Sequence, residues 1–316
     1  RICKLMNKLN SKISTQDCFI EVVSDDVLIT NDCNEIKHQV SENKGCIYLN
    51  IRVSESEIIP RITFKIKREN FISIQLKLTL LNDAKLEILD ESEYTHGSKI
   101  EFTTELGKGS SFELYRLNIF NELTENSYLH QCHLSKDCVF KDFNFTNGSK
   151  LMKNETEVSL ADENAKYIGS GVVITNSTNC DNSLKINHIS PSAISDCSFK
   201  TVSRGNANVT FNGKVIVREN CNNSVSSQIS KGLVMDENAN VNLIPELEIS
   251  NDDVVCSHGA ASGKPDENIL FYLTSRGISR KEAEKVYIQG FLGEFVDKID
   301  NAQMKVKAKQ FISQNS

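Results

Sequence analysis

The sequence predicts a mainly β fold, a solenoid of the parallel β-helix type, closed at its C-terminus by a small helical unit. Three observations predict it. Between about residues 60 and 250, short apolar runs alternate with polar residues at period two and end on Asn, Asp or Gly. The segments ADENAKYIGSGVVI, RGNANVTFNGKVIV and DENANVNLIPELEI share one pattern, a polar turn, an Ala or Asn, then a short β-branched run. A weak repeat of this kind suits coils that bury their faces against their neighbours. Beyond residue 263 the apolar period becomes that of a helix. A β-sandwich would give similar strands, but the repeated N-A-x-V and D-E-N-A elements and the scarcity of helix signal favour the solenoid.

Taken in order, the elements divide the chain into residues 1–55, 56–262 and 263–316. In the first, Ile2, Leu5, Met6, Leu9 and Ile13 recur at helical spacing between Arg1, Lys4, Lys8 and Lys12. This predicts a surface helix, with the remnant of an organelle-targeting segment as the alternative; the chain starts with Arg, so an upstream portion is expected to have been removed. CFIEVV and CIYLNI read as strands. In the second region, Ile72, Ile74, Leu76, Leu78 and Leu80 alternate with Ser73, Gln75, Lys77 and Thr79, a strand with one buried face. In the third, Pro265 and Gly277 bracket one helix. Ser279 and Glu282 then form a capping box for a second helix. Its stripe is read as Ala283, Val286, Tyr287, Gly290, Phe291, Phe295, Val296 and Ile299. Two helices are too few for a core of their own, so they must pack on the β body or on a partner.

Composition limits the function classes. A chain of 316 residues with 39% hydrophobic and 25% charged residues supports a sizeable core. The net charge of −6 argues against general nucleic-acid binding, which needs a concentrated basic face. No stretch reaches 18 apolar residues, so no transmembrane helix is expected. The ten cysteines contain no CxxC pair, which disfavours a zinc finger and leaves reduced cytosolic thiols as the expectation. GxxxxGK[ST], HExxH and GxSxG do not occur, and the GSG at Gly169–Gly171 reads as a strand turn.

Three clusters carry side chains able to ligate a metal. Cys256 and His258, in DDVVCSHGAASGKPDE, lie two apart and share a face if extended. Thiolate and imidazole both bind iron or zinc, while a buried thiol and a hydrogen-bonded histidine are the alternative. Two ligands do not complete a site, so ligation would need a second chain or distant residues. In HQCH, a strand would place His130 and Cys132 on one face and His133 on the other. Cys180, Asp181 and His188 flank another strand.

The stretch from RGNANVTFNGKVIV to the C-terminus resembles the SufB/SufD family of iron–sulfur cluster assembly scaffolds. The resemblance is carried first by Gly205, Ala207, Phe211, Gly213, Ile216 and Val217. P-x-L-E-I at Pro245, Leu247, Glu248 and Ile249 follows, then C-S-H-G-A at Cys256 to Ala260, and F-Y-L-x-S-R-G-I from Phe271 to Ile278. Upstream, Asp181, His188, Pro191 and Ser195 match a further family element. The resemblance covers roughly residues 110 to 300; the first hundred depart from the longer, more helical N-terminal region usual in the family. Gly259 after the histidine, where the SufB branch tends to have Glu, places the chain nearer the SufD branch.

The resemblance implies a right-handed parallel β-helix with a helical C-terminal domain, and a scaffold that is not an enzyme. It implies pairing with a SufB-like paralogue, or a homodimer when that partner is missing. It also implies docking of a SufC-like ATPase on the C-terminal helices, with Ile269, Phe271, Tyr272, Tyr287 and Phe291 as anchors. A transient iron–sulfur cluster is expected at the scaffold interface with His258 and Cys256 as ligands, and no nucleotide on this chain. The expected location is the cytoplasm, or alternatively a plastid or related organelle stroma, with neither nucleic acid nor membrane as partner. The competing readings are a β-helix carbohydrate-active enzyme, which needs clustered carboxylates in a cleft, and a passive structural solenoid, which has no use for C-S-H and two capped helices.

Overall fold

The computed structural model describes residues 17–23, 26–31, 34–43, 45–55, 59, 61–67, 70–176 and 179–316. The helix expected over residues 1–14 lies outside them. Two sheets run the length of a β solenoid. The first contains, in spatial order, Asp26–Asn31, Asp17–Val23, Arg61–Lys67, Lys85–Asp90, Ser111–Phe120, Val139–Asn147, Lys166–Thr175, Ile194–Ser203, Ser224–Val234 and Val254–Gly263, with the short Glu93–Tyr94 beside Ser111–Phe120. The second runs from Ile36–Asn43 through Cys46–Val53, Ile72–Leu80, Ser98–Leu106, Glu125–Leu134, Leu151–Leu160, Asn179–His188 and Asn208–Val217 to Asn240–Ile249. Apart from the antiparallel pairs at the N-terminal end, every pairing is parallel. From Arg61 onward the chain alternates between the two sheets, so each turn of the solenoid contributes one long strand to each.

The weak repeat seen in the sequence is turn chemistry. Asp83, Gly109, Asp137, Asn164, Ser192 and Asn223 all adopt positive φ at the same corner of successive turns. Asn, Asp and Gly tolerate that conformation best. After each comes a small buried residue, Ala84, Ser110, Cys138, Ala165, Ala193 or Ser224. The N–H of each left-handed residue donates to a carbonyl one turn along, as Asp137 does to Glu163 (3.0 Å) and Asn223 to Asp253 (2.8 Å). The corner therefore needs one left-handed residue followed by one small one, and the N-A dipeptide at 164–165 meets both needs.

Inward-facing residues of both sheets form one core, with Phe112, Phe140 and Tyr167 among its largest buried side chains. A second core lies on the outer face of the first sheet. There Tyr115, Phe143, Phe145, Val172 and Ile174 meet the C-terminal helices. Strands covered on both faces read as nearly continuous apolar runs, and Ser111–Phe120 and Lys166–Thr175 show that burial.

Three helices follow the last strand, not two. α1 is Glu267–Ser275, α2 is Arg280–Asp297 and α3 is Ala302–Asn315. Asp266 caps α1, the Ser279–Glu282 box caps α2, and Asn301 caps α3. The sequence reading missed α3, whose Lys- and Gln-rich surface hides the stripe Met304, Ala308, Phe311 and Ile312. It also set the α2 face slightly off. Ile288 and Leu292 are buried, while Val286 is exposed, because the sheet beneath selects the face. The helices pack on the β body. Lys200, buried under α2, donates through Nζ to the Phe291 carbonyl (2.5 Å) and to Glu294 (2.7 Å). Lys141–Asp300 (2.7 Å) and Arg61–Gln303 (2.9 Å) tie the end of the unit to earlier strands.

If the helices are integral to the fold, Leu292→Ala should cost about 2–4 kcal/mol of stability in urea denaturation, because Leu292 is fully buried at this junction. A loss below about 0.5 kcal/mol, the range of surface changes, would show that the helices dock independently of the solenoid.

Candidate functional site

The last strand of the first sheet, Val254–Gly263, pairs with Ser224–Val234 on one side only. The last strand of the second sheet, Asn240–Ile249, is likewise an edge. This end of the solenoid therefore presents two unpaired strand edges. Pro245 stands on one of them, where its missing N–H costs no ladder bond.

Strand alternation puts Val254, Cys256 and His258 on the inward face. Val254 and Cys256 pack at the margin of the inter-sheet core. His258, one step further, is exposed because no later turn covers it. Burial pushes the Cys256 thiol pKa up, with the Ser226 peptide N–H opposing. A Cβ at Gly259 or Gly263 would touch nothing, so the strand beyond His258 leaves room for another chain.

The register carries His258 to the end of a column. Asp142, Gly169, Cys197, Gln228 and His258 stand opposite one another on successive strands of the first sheet, all on its inward face. At the inner end Asp142 accepts both hydrogen bonds of a buried ion pair from Arg116 Nη2, at 2.9 Å each. The Arg116 guanidinium lies over the Tyr128 ring, 4.4 Å from its centroid. Burial acts against both charges. It raises the Asp142 pKa despite Arg116, whereas at Arg116 burial is more than offset by Asp142 together with Tyr128 and Tyr167, and the pKa there rises. Breaking such a pair leaves one uncompensated charge, a loss of about 3–5 kcal/mol. A cavity of about 50 Å³, space for roughly three waters, runs between this pair and Gln228.

Gln228 Nε2 donates to the Gly213 carbonyl (3.1 Å). A Cβ on Gly213 would come within 2.2 Å of that amide, so only glycine admits Gln228 to the interior. This is the physical content of the F-x-G element, whose Phe211 stacks on Phe199 at 4.1 Å. The Asp181–Ser195 element is structural as well. His188 Nε2 meets Ser195 Oγ at 2.9 Å, and Ser195 donates to Ser226 at 2.8 Å, all three residues buried.

The remaining candidates are not brought together. His130 and Cys132 face inward and His133 outward. The His130 ring stacks on Phe102 at 4.2 Å, with its Nε2 2.9 Å from Thr104 Oγ1 and 3.0 Å from Cys132 Sγ. Burial holds the imidazole pKa far down and the thiol pKa far up, so both are neutral core groups. Cys180 and His188 are buried while Asp181 lies on the opposite, exposed face. Among the described residues no three His, Cys, Asp or Glu side chains gather as a metal site. Reading by motif missed Arg116, Asp142 and Gln228. The signal was present: in SFELYRLNIF, Arg116 falls in phase with Phe112, Leu114 and Phe120 on the inward face.

The family model for the SUF system FeS cluster assembly SufBD core domain matches residues 73–291. The iron–sulfur cluster assembly protein SufD of Escherichia coli is 26% identical over 247 residues, covering 78% of this chain and 54% of that protein. SufB of Bacillus subtilis is 25% identical over 248 residues, 75% of this chain and 52% of that one. The chloroplastic protein ABCI7 of Arabidopsis thaliana is 32% identical over 111 residues, 35% of this chain and 23% of that protein. The chain thus spans about half the length of the SufD and SufB proteins it matches.

The buried imidazoles set a pH dependence. Burial lowers the His188 pKa from 6.5 to about 4. Between those values the unfolded chain takes up a proton that the folded one refuses, so stability falls as pH falls, by about 2 kcal/mol at pH 5. Asp90 and Asp142, raised by burial, act in the opposite sense, so the wild type must be compared with His188→Gln. The variant should be the less stable at neutral pH, and the gap should narrow by about 2 kcal/mol at pH 5 in urea titrations. A gap independent of pH would mean that burial does not hold His188 neutral.

Proposed function

The chain belongs to the SUF-system SufBD core family, and on that premise we propose that it is a SufD-type scaffold subunit that pairs, edge to edge, with a SufB-like paralogue to assemble iron–sulfur clusters. The observation that carries this reading is His258, exposed on an unpaired strand at the end of the solenoid. The cluster is cargo at the joint. His258 and Cys256 offer it two donors, and the partner supplies the others. The strand edges at residues 245–255, with Val255 68% exposed, form the contact. When the paralogue is missing, the same edges serve a homodimer.

The SufC-like ATPase docks on α1. Phe271 is 72% exposed and Tyr272 57%, with Ile269 beside them, an apolar patch on a helix that buries only Leu270. Tyr287 and Phe291 pack against the second core instead. The Tyr287 hydroxyl accepts from the Asp266 N–H (3.1 Å), and Lys200 Nζ sits 4.9 Å from the Phe291 ring centroid. On this reading the ATPase, and not this chain, holds the nucleotide. Among the described residues no helix is long and apolar enough to cross a membrane. The reading places the protein in the cytoplasm, with a plastid-type stroma as the alternative that the chloroplastic relative supports.

His258→Ala should leave the thermal midpoint and partner binding unchanged and sharply lower the cluster absorbance of the complex reconstituted with iron and a sulfur donor. Equal cluster yields would make His258 structural, and loss of the complex would assign it to pairing. For the ATPase, Phe271→Ala with Tyr272→Ala should weaken binding at least tenfold, as loss of two aromatic anchors does. Point substitutions are needed here, because removing the helices whole would uncover the second core. Unchanged affinity would remove α1 as the docking helix.

A further inference from the structure

The second sheet carries an open groove of about 670 Å³ on its outer face near the N-terminal end, far along the solenoid from His258. Two register-aligned rows floor it. One is Ser41, Tyr48, Gln75 and Glu101 on four adjacent strands. The other, two residues along, is Gln39, Asn50, Lys77 and Thr103. Further along the same face the outward positions are paved with ion pairs, Lys153–Glu155 (2.9 Å), Lys185–Glu157 (2.9 Å) and Lys214–Glu248 (3.2 Å). In the groove the composition changes to carboxamides, hydroxyls and one aromatic ring. Its two charged side chains are already engaged, Lys77 with Glu105 (2.9 Å) and Glu101 with Lys99 (2.7 Å) and Gln75 (2.8 Å). No intramolecular hydrogen bond ties the side chains of Gln39, Asn50 or Thr103 among the described residues.

We propose that this groove binds a linear, uncharged, β-linked oligosaccharide of about three hexose units. The lining charges cancel, which removes the driving force for an anion or cation. Uncommitted amides and hydroxyls supply donors and acceptors together, as a ligand rich in hydroxyls requires. Tyr48, 37% exposed, gives one ring on which the apolar C–H face of a sugar can lie. Spacing separates a sugar chain from a peptide. Adjacent strands lie about 4.8 Å apart, so four strands span about 14 Å across the rows. An extended β-linked hexose chain advances by close to one strand spacing per sugar, and each unit meets the next pair of side chains. An extended peptide advances about 3.3 Å per residue and turns alternate side chains away, so it falls out of step with these rows. The groove is read as binding without cleaving, because hydrolysis takes two carboxyl groups across the bond and Glu101 is the only carboxylate of its lining among the described residues. The proposal is independent of the scaffold reading.

Cellotriose titrated into the full chain, followed by calorimetry and amide chemical shifts, tests it. The expected result is a Kd of about 1 mM or tighter, with shifts confined to the strands bearing Tyr48 and Gln75. Glucose should bind at least tenfold more weakly. Tyr48→Ala should lower the affinity for cellotriose at least tenfold with an unchanged far-ultraviolet spectrum, since the ring is outside the core. Gln75→Ala should act in the same direction. Absence of binding at about ten times that concentration, or binding that Tyr48→Ala leaves intact, would overturn the proposal. So would tighter binding of an uncharged extended peptide.

Discussion

Parallel strand pairing in strict register is the constraint on which this structure depends. Each turn of the solenoid satisfies its backbone only through the turns before and after it. Because the register is continuous from Asp142 to His258, a side chain's column is decided by the summed lengths of the turns between strands. Those lengths vary, yet each left-handed corner residue stands at the same offset before its column residue (Asp137 before Asp142, Asn164 before Gly169, Ser192 before Cys197, Asn223 before Gln228), so the variation falls in the rest of each turn. The same constraint creates the site. A solenoid must stop somewhere, and where it stops its inward face becomes an outward one. His258 is exposed for that reason, although it occupies a position that is buried on every earlier strand of its column.

The interior is not uniformly apolar, and its buried ion pair and its buried histidines are accommodated differently. Arg116 and Asp142 form an ion pair, each the other's partner. His130 and His188 stay neutral because burial removes the charge and a hydroxyl takes the ring nitrogen. Motif reading treats histidine and cysteine as candidate ligands wherever they cluster. Solvent access differs among these candidates: His258 is exposed and Cys256 half-buried, whereas His130, Cys132, Cys180 and His188 are buried.

The helical unit is bound to the solenoid along much of its length. It leaves the last strand through Lys264, Pro265 and Asp266, and its third helix ends beside early strands, with Lys307 paired to Glu91. α2 and α3 are fixed by a shared apolar core and by Lys200. α1 is the exception: it adds no residue to the second core and holds on through Leu270, the Glu267–Arg280 ion pair (2.7 Å) and the Asp266–Tyr287 hydrogen bond (3.1 Å). The least anchored helix is thus the one directly continuous with the strand that carries His258. A load on α1 and a change at that strand edge share a short covalent link.

The sequence by itself determined the β solenoid, the capped helices after residue 263 and the family, because these depend on local quantities: alternation, turn residues and motif order. It also determined that Cys256 and His258 share a face, since strand periodicity alone requires it. What only the tertiary structure decided is which columns those faces join. Arg116 reads as an odd charge in an apolar strand until Asp142 on the next turn is seen opposite it. Gly213 reads as a strand breaker until Gln228 fills the space it leaves. α3 has a helical stripe too sparse to stand out until the sheet beneath it is known. In each case the deciding partner is one turn of the solenoid or more away along the chain, and register, which sums over every intervening turn, cannot be read from a local window.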